Sequence, residues 1–254
     1  MLKKITVFFA VTLTTLFGQD FVPFPIAYDK ILQTVAPILG DSPTIFEAGA
    51  FDGSDTVILA ETWPTGHIFS FEPVPFLYEE ALKKTKSKDN VILTNKALSN
   101  SIRKEIFYLA EASGQPFQSS SLDEPYLHKE AFPWVAFNRT IHVHTTTIDR
   151  IAKKYKLDNI DFFWLDTEGH ELPILQAYSK LEETKAIYCE VAFIELRKNQ
   201  ALFGELTDFL ASKGFIVVGV NFDYELLEGK VIPKTNAPFG DALYIHESLL
   251  DNFR

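Results

Sequence analysis

The chain has 254 residues, 46% of them hydrophobic and 23% charged, which is enough to bury a sizeable core without disulfides. Its 24 basic and 34 acidic side chains leave a formal net charge of −10. This charge argues against a nucleic-acid partner, because a polyanion binds a clustered basic surface. The single cysteine, Cys189, excludes an internal disulfide framework and any multi-cysteine metal site, and its apolar neighbours predict a buried side chain.

The N-terminal residues differ from the rest of the chain. Two lysines precede a mostly apolar stretch, residues 5–17, which is typical of a secretory signal or a membrane-associating segment. The stretch is too short to span a bilayer comfortably, and a first helix or strand that packs on the protein is the alternative. We therefore expect an N-terminal hydrophobic segment, 1–20, in which residues 1–18 would provide any membrane association. One domain, 21–254, would follow, since no Gly/Ser linker divides it.

Short apolar runs alternate with helical patterns along this domain. The predicted strands are residues 44–48, 67–71, 91–93, 106–109, 141–147, 160–165, 186–191, 215–220 and 241–246. The predicted helices have apolar faces within 57–59, 77–82, 148–152, 172–178 and 202–210, and Thr147 is expected to cap the third of them. Apolar strands separated by helices indicate an open α/β sheet covered on both faces, whose ligands bind beyond the carboxyl ends of the strands.

The first predicted strand runs into a turn that contains Gly49 and Gly53. Glycines at these positions would allow a tight turn and a close approach to a nucleotide-like ligand. Their spacing is not the dinucleotide fingerprint, and the carboxylates Glu47, Asp52 and Asp55 would repel a pyrophosphate. A ligand with positive charge and no phosphate is favoured, and S-adenosylmethionine has both properties. A purely structural glycine turn is the alternative.

Glu72 follows the second predicted strand, 25 residues beyond Glu47. An acidic residue at this strand tip is placed to accept hydrogen bonds from both hydroxyls of a ribose. The alternative is an exposed carboxylate with no ligand.

Polar residues also follow the most apolar predicted strand, in the run from Trp164 to Glu171. Because this strand ends at the same edge of the sheet, Asp166 is expected to contact the methionine ammonium group or to lie beside the reacting methyl group. Its alternative role is to cap the next helix, with Glu168 and Glu171 near the positive end of the helix dipole.

Four runs together resemble the FkbM family of S-adenosylmethionine-dependent methyltransferases. They are IFEAGAFDGSD, FSFEPVP, TTTIDRI and IDFFWLDTEGHELPIL, and the resemblance extends over residues 44–220 in the same order. It implies the class I methyltransferase fold, a Rossmann-like α/β fold with a mostly parallel seven-stranded sheet, a reversed last hairpin and helices on both faces. It also implies S-adenosylmethionine as the cofactor and methylation, usually of a hydroxyl.

The resemblance assigns roles by motif position. Glu47, Gly49, Asp52 and Gly53 would line the methionine end of the cofactor, Glu72 would hold the ribose, Asn95 to Ala97 would flank the adenine, and Asp166 and Glu168 would face the reaction centre. Two positions depart from the family pattern. Phe51 stands where the family usually has asparagine, and Trp164 stands where it often has lysine.

Methyl transfer needs alignment of the acceptor oxygen, the methyl group and sulfur, and a positioned base would add about 10²-fold or more. The candidate catalytic residues are Asp166, Glu168 and His170, and Glu190 at its own strand end is a further candidate base. His142 and His144 share one strand face, and without another ligand we interpret them as a solvent-facing pair. No metal is implied by the sequence.

Residues 112–139 are rich in aromatic side chains and prolines, so they are expected to form a lid or acceptor pocket, or else a small satellite cluster under a long loop. The leading hypothesis is O-methylation of a small-molecule, sugar or lipid acceptor. The alternatives are a binding protein that kept the fold and lost the activity, and a Rossmann oxidoreductase that uses NAD(P). Cofactor supply favours a cytoplasmic protein, in solution or at the membrane, whereas the signal-like N-terminus leaves export open.

Overall fold

The computed structural model describes residues 22–253, so the predictions for the N-terminal hydrophobic segment lie outside the described residues. The strands are β1 Phe24–Pro25, β2 Thr44–Ala48, β3 His67–Phe71, β4 Val91–Thr94, β5 Ala97–Leu98, β6 Lys104–Ala112, β7 Gln115–Pro116, β8 Val135–Thr146, β9 Phe162–Leu165, β10 Ala186–Ala192, β11 Phe215–Val220, β12 Tyr224–Leu227, β13 Lys230–Pro233 and β14 Phe239–His246. The α-helices are α1 Ile31–Leu39, α2 Ser54–Thr62, α3 Pro75–Thr85, α4 His128–Ala131, α5 Ile148–Tyr155, α6 Glu171–Gln176 and α7 Phe203–Ala211.

The central sheet has eight strands in the order β1-β11-β14-β10-β9-β2-β3-β4. All neighbours pair in parallel except β14, which is antiparallel to both β10 and β11. The prediction of a mostly parallel sheet with a reversed last hairpin is confirmed, since β11 and β14 pair antiparallel. The strand count is eight and not seven, because the two-residue β1 adds an edge strand beside β11.

The chain reverses direction across the sheet between β2 and β9. From β2 it proceeds outward to β3 and β4, and it later returns to build β9 and β10 on the other side. This reversal opens a crevice at the carboxyl ends of β2 and β9, which is where open α/β sheets bind their ligands.

Two apolar layers cover the sheet. One contains the buried faces of α5, α6 and α7, and the other contains α1, α2 and the aromatic side chains of Trp63 and Trp164. Cys189 is fully buried in the first layer, as predicted. The Thr147 hydroxyl accepts the amide of Arg150 at 3.2 Å, which confirms the predicted cap of α5.

A second sheet, with the order β5-β8-β6-β7, lies beside the carboxyl end of the first. It includes part of the segment 112–139, which also contains α4 and the first residues of β8. His142 and His144 are both exposed on one face of β8, as expected for a solvent-facing pair.

Candidate functional site

A cavity of about 210 Å³ lies at the crevice between β2 and β9. The turn after β2, the residues that follow β3 and β9, and the second sheet form its walls. Its lining includes Gly49, Asp52, Asp55, Glu72, Leu77, Ala97, Leu98, Phe107, Gln118, Ser120, Leu122, Asp166 and His170. No lysine or arginine of the described chain is among the residues that line it.

Protein atoms occupy the space that the two glycines of the turn leave open. Gly49 has φ +91°, and a Cβ atom there would lie 1.9 Å from the carbonyl oxygen of Asp166. Gly53 has φ +81°, and its Cβ would lie 2.8 Å from Cα of Ala81 in α3. Glycine is therefore required for the approach of β2 to β9 and of α2 to α3. Gly49 also lines the cavity, so the expected close approach of a ligand to this glycine stays a prediction.

Glu47 lies beneath the cavity and is 1% exposed. One of its oxygens, Oε2, accepts the Thr56 hydroxyl at 2.6 Å, while Oε1 has no hydrogen-bond partner in the described structure. Burial raises the pKa of Glu47 to about 7. Its carboxylate does not line the cavity, so it supports the floor under the turn.

Glu72 lines the cavity at the tip of β3 and is 4% exposed. Its Oε2 accepts the amide of Phe51 at 2.9 Å, and its Oε1 accepts the amide of Val74 at 2.8 Å. Burial raises the pKa of Glu72 to about 8, against these two amides, which favour the ionised form. Both oxygens keep lone pairs for further donors, such as the two hydroxyls of a ribose.

Of the residues expected to flank the adenine, Ala97 lines the cavity and Asn95 does not. The Asn95 side chain donates to the carbonyl oxygens of Glu72 at 2.9 Å and of Pro73 at 3.1 Å, so it fixes the turn after β3 and does not line the cavity. Ala97 does line it, as part of an apolar wall that Leu77, Leu98, Phe107 and Leu122 complete.

Asp52, Asp55 and Asp166 add further carboxyl groups to the cavity lining. Asp52 forms an ion pair with Lys84 at 2.5 Å. Although partial burial raises the pKa of Asp52, Lys84 and Ser54 lower it below its ordinary value. Asp55 lines this cavity and also a neighbouring one.

Asp166 follows β9 and is exposed toward the cavity. Enclosure by protein raises the pKa of its carboxyl well above the ordinary value, and the neighbouring Glu168 raises it further. Asp166 does not cap α6. Instead Glu171 accepts the amide of Thr167 at 2.9 Å and that of Gly169 at 3.1 Å, because α6 begins only at Glu171 and its carboxylate reaches back to the preceding loop.

Glu168 is not among the residues that line the cavity, and it has φ +57°. Its Oε2 pairs with Nη2 of Arg197 at 3.1 Å, and the same nitrogen donates to the carbonyl oxygen of Ser119 at 2.6 Å. The Arg197 side chain is 1% exposed. Arg197 thus ties Glu168 to the segment 112–139.

His170 lines the cavity, but both of its ring nitrogens have partners. Nδ1 lies 2.9 Å from Oδ2 of Asp123, and Nε2 lies 3.0 Å from the Ser99 hydroxyl. Ser99 is fully buried, so this arrangement orients the imidazole and offers no accessible nucleophile. To act as a base, His170 would have to exchange one of these partners.

Sequence reasoning missed Asp123, Ser99 and Arg197. Asp123 and His170 are 47 residues apart, and Arg197 and Glu168 are 29 apart. Each lies in a loop or at a strand end without a periodic pattern. The only signal for Asp123 in the sequence is that it is a polar residue within the predicted lid, and this does not distinguish it from the other polar residues there.

A second cavity of about 250 Å³ lies on the side of the sheet covered by α1 and α2. It is lined by Tyr28, Leu32, Asp55, Ile58, Leu59 and Trp164. The Trp164 ring is 4.5 Å from that of Tyr188 and 5.5 Å from that of Tyr28, measured between centroids. Trp164 therefore packs in an aromatic group where a lysine would bury its charge. Within residues 22–253 there is no helix with the length and apolarity needed to cross a membrane.

Comparisons with known proteins identify the family of the chain. A family model described as the methyltransferase FkbM domain matches residues 47–217. The 2-O-methyltransferase NoeI of Sinorhizobium fredii (strain NBRC 101917 / NGR234) is 27% identical over 184 residues, which are 71% of this chain and 76% of NoeI.

Two solved structures also show limited similarity to this chain. The precorrin-6y C5,15-methyltransferase of Geobacter metallireducens GS-15 has 13% identity and a TM-score of 0.46, with coverage of 89% of this chain and 94% of that one. The fibrillarin pre-rRNA processing protein of Methanococcus jannaschii has 12% identity and a TM-score of 0.47, with coverage of 94% and 87%.

The residues that form the cavity suit a sulfonium nucleoside. The lining combines the Glu72 carboxyl group, an apolar wall and further acidic side chains, and its described residues include no lysine or arginine to bind a phosphate. The family match covers residues 47–217, and these include Glu47, Glu72 and the loop after β9. The chain belongs to the FkbM methyltransferase family and is an S-adenosylmethionine-dependent methyltransferase.

Proposed function

We propose that the protein methylates a hydroxyl group on a small-molecule, sugar or lipid acceptor. The observation that carries this proposal is the cavity that joins Glu72, an apolar wall and Asp166 at the carboxyl edge of the sheet. The name of the relative NoeI, a 2-O-methyltransferase, supports oxygen as the methylated atom.

In this proposal Glu72 accepts the ribose hydroxyls, and Ala97 and Leu98 contact the adenine. Asp52 and Asp55 attract the positively charged methionine end, beside Gly49 and above the buried Glu47. Asn95 and Gly53 act through the backbone that they hold in place. When bound, the cofactor supplies a methyl group on a positively charged sulfur, which leaves with the electrons of the broken S–C bond.

Asp166 is the proposed general base. It is exposed and accessible from the cavity, so its carboxylate can reach an acceptor hydroxyl there. As the acceptor oxygen forms its bond to carbon, the hydroxyl proton would pass to Asp166. Glu168 and His170 then shape the site through Arg197 and Asp123, and His170 becomes a base only by releasing a partner.

The second cavity is the proposed binding site for the acceptor. It shares Asp55 with the first cavity, and Tyr28 and Trp164 give it an aromatic wall. Aromatic faces bind the apolar face of a sugar ring or an acyl chain, which suits a sugar or lipid that carries the reacting hydroxyl.

The segment 112–139 is the proposed lid of the domain 21–254. Gln118, Ser120 and neighbouring Leu122 line the cofactor cavity, whereas the aromatic residues of the segment do not. We place the protein in the cytoplasm or at its membrane, where S-adenosylmethionine is made, and residues 1–18 would supply any membrane association.

Two measurements on the full chain test this function. Isothermal titration with S-adenosylmethionine should show binding that Glu72→Gln weakens at least about tenfold. Glu79→Gln, which removes an exposed carboxylate from α3, should bind like the wild type. Equal affinity in both variants would contradict the ribose assignment.

The second measurement follows transfer of an isotopically labelled methyl group to a panel of sugars, lipids and small alcohols. The product, analysed by NMR, should carry the label on oxygen, and Asp166→Asn should slow the transfer about 10²-fold or more. Label on nitrogen or carbon would overturn O-methylation.

A further inference from the structure

Three carboxylates from two strand ends meet behind the cofactor cavity. Asp166 and Glu168 follow β9, and Glu190 lies near the end of the neighbouring β10. One oxygen from each carboxylate lies within 4.8 Å of the oxygens from the other two. Three oxygens at this spacing are within reach of a single bound cation.

Glu190 gives an independent reason to expect a ligand at this point. It is 9% exposed, and its carboxylate has no hydrogen bond or ion pair with any residue of the described chain. A buried carboxylate that lacks a donor is costly, and it normally pairs with a proton or a cation. Its oxygen is directed toward Asp166 and Glu168, so the missing partner belongs between the three groups.

The surrounding charges leave room for a divalent ion. Arg197 forms an ion pair with Glu168 at 3.1 Å and also interacts electrostatically with Glu190, so among the described residues this one cation faces three carboxylates. Two negative charges therefore remain without compensation if all three carboxylates are ionised. Burial and mutual repulsion raise the pKa of Glu190 well above its ordinary value, so a shared proton is the competing way to lower this charge.

We propose that Asp166, Glu168 and Glu190 bind one divalent metal ion of the Mg²⁺ or Mn²⁺ type. An all-oxygen carboxylate set favours such hard cations over zinc, which prefers nitrogen and sulfur ligands. Because Asp166 is exposed toward the cavity, an ion has a path to the group from solvent. The sequence predicts no metal, since α6 separates Glu190 from the other two ligands along the chain.

The role of this ion rests on the proposed function, although its binding does not. A cation at Asp166 lies at the edge where the acceptor hydroxyl would enter. It would hold that hydroxyl and make its proton easier to remove. Asp166 would then act partly as a metal ligand, and the metal site would select acceptors that offer an oxygen to the ion.

Mn²⁺ is the probe for the test. The full chain is treated with EDTA, dialysed and titrated with Mn²⁺ while the electron paramagnetic resonance of free Mn²⁺ is recorded, with and without S-adenosylhomocysteine. We expect one bound ion per chain, displaced by Mg²⁺, and a loss of affinity of about tenfold or more in Glu190→Gln. The control Glu79→Gln should match the wild type, and circular dichroism checks that both variants fold.

The outcomes separate the metal from the methyltransferase function. Absence of stoichiometric Mn²⁺ and Mg²⁺ binding at millimolar concentration, or equal binding in wild type and Glu190→Gln, overturns the metal proposal. If Glu190→Gln fails to fold, Asp166→Asn replaces it with the same expected loss. Binding of S-adenosylmethionine to the EDTA-treated protein is measured separately, so the metal proposal can fail while the proposed function stands.

Discussion

The backbone of Asp166 occupies the place where a side chain on Gly49 would be. The two residues follow the adjacent strands β2 and β9, and the amide of Asp166 donates to the carbonyl oxygen of Ala48 at 2.9 Å. The turn that faces the cofactor cavity and the loop that carries the candidate base are therefore fixed to each other by backbone contact.

Gly49→Ala should test this contact. A Cβ would lie 1.9 Å from the Asp166 oxygen, so we expect the free energy of unfolding to fall by more than about 3 kcal/mol. Gly114→Ala is the control, because Gly114 has φ +74° but nothing lies within 4 Å of a methyl group added there, and it should cost only about 1–2 kcal/mol. Urea denaturation measures both, and equal losses would mean that the left-handed backbone alone explains the glycine.

The affinity for S-adenosylmethionine should rise with pH. Burial raises the pKa of Glu72 from 4.5 to about 8, so below about pH 8 the free protein must release a proton before the carboxylate can accept the ribose hydroxyls. Each pH unit below that value should weaken binding by up to about tenfold. Titration calorimetry in two buffers of different ionisation enthalpy would detect the released proton. If the affinity of the wild-type protein does not change with pH, the assignment of Glu72 to the ribose is contradicted.

Glu47→Gln should change how stability depends on pH. The pKa of Glu47 is raised by burial from 4.5 to about 7 in the folded protein, so the folded state binds more protons between these values. The contribution of the neutral Glu47 carboxyl to the free energy of unfolding is fully present below pH 4.5. It is lost as the pH rises through 7. Relative to wild type, the variant should gain roughly 1–3 kcal/mol between about pH 5 and pH 9. Unfolding curves at both pH values test this, and a constant difference would refute it.

Asp123→Ala should loosen the segment 112–139 from the loop after β9. Asp123 holds His170 at 2.9 Å, and its loss leaves the imidazole with only Ser99 as a partner. Hydrogen exchange measured by mass spectrometry should increase in peptides that cover 112–139. The exposed Asp89 supplies the control, since Asp89→Ala removes a similar charge far from the segment. If hydrogen exchange in the segment 112–139 is the same in both variants, the other contacts are sufficient to hold the segment in place.

Arg197→Met should be strongly destabilising. It leaves Glu168 without its cation and removes the donor to Ser119, at an expected cost of about 3–5 kcal/mol. Adding Glu168→Gln should recover part of this loss, because the unpaired charge is then gone. Denaturation of Arg197→Met, Glu168→Gln and the double variant, measured in EDTA, gives the coupling energy between the two residues. If the loss in the double variant equals the sum of the two single losses, the ion pair does not stabilise the protein.

The sequence predicted the elements that have one simple pattern. β2, β3 and β11 have the bounds expected from apolar runs, because each is buried along almost its whole length and ends at a polar residue or a turn. β8 extends to Val135, well before the predicted start, since its first half is mixed in polarity and is stabilised by pairing with β6. The β12–β13 hairpin lacks a continuous apolar run and was not predicted.

The candidate site likewise contains residues that a sequence pattern predicts and residues that it does not. Glu72 and Asp166 could be predicted because they follow apolar strands at one edge of the sheet. The group of Asp166, Glu168 and Glu190 depends on the pairing of β9 with β10, and the Asp123 contact depends on how a long segment folds back. Such contacts are set by tertiary packing, which leaves no local pattern in the chain.

The antiparallel strand β14 has a consequence for synthesis of the protein. It fills the gap between β10 and β11, although it is the last of these three strands to be translated. Until residue 246 has left the ribosome, both earlier strands have open, apolar edges that can pair with other chains. Premature termination before residue 239 would therefore leave a nascent chain prone to aggregation, and chaperones would have to protect those edges during translation.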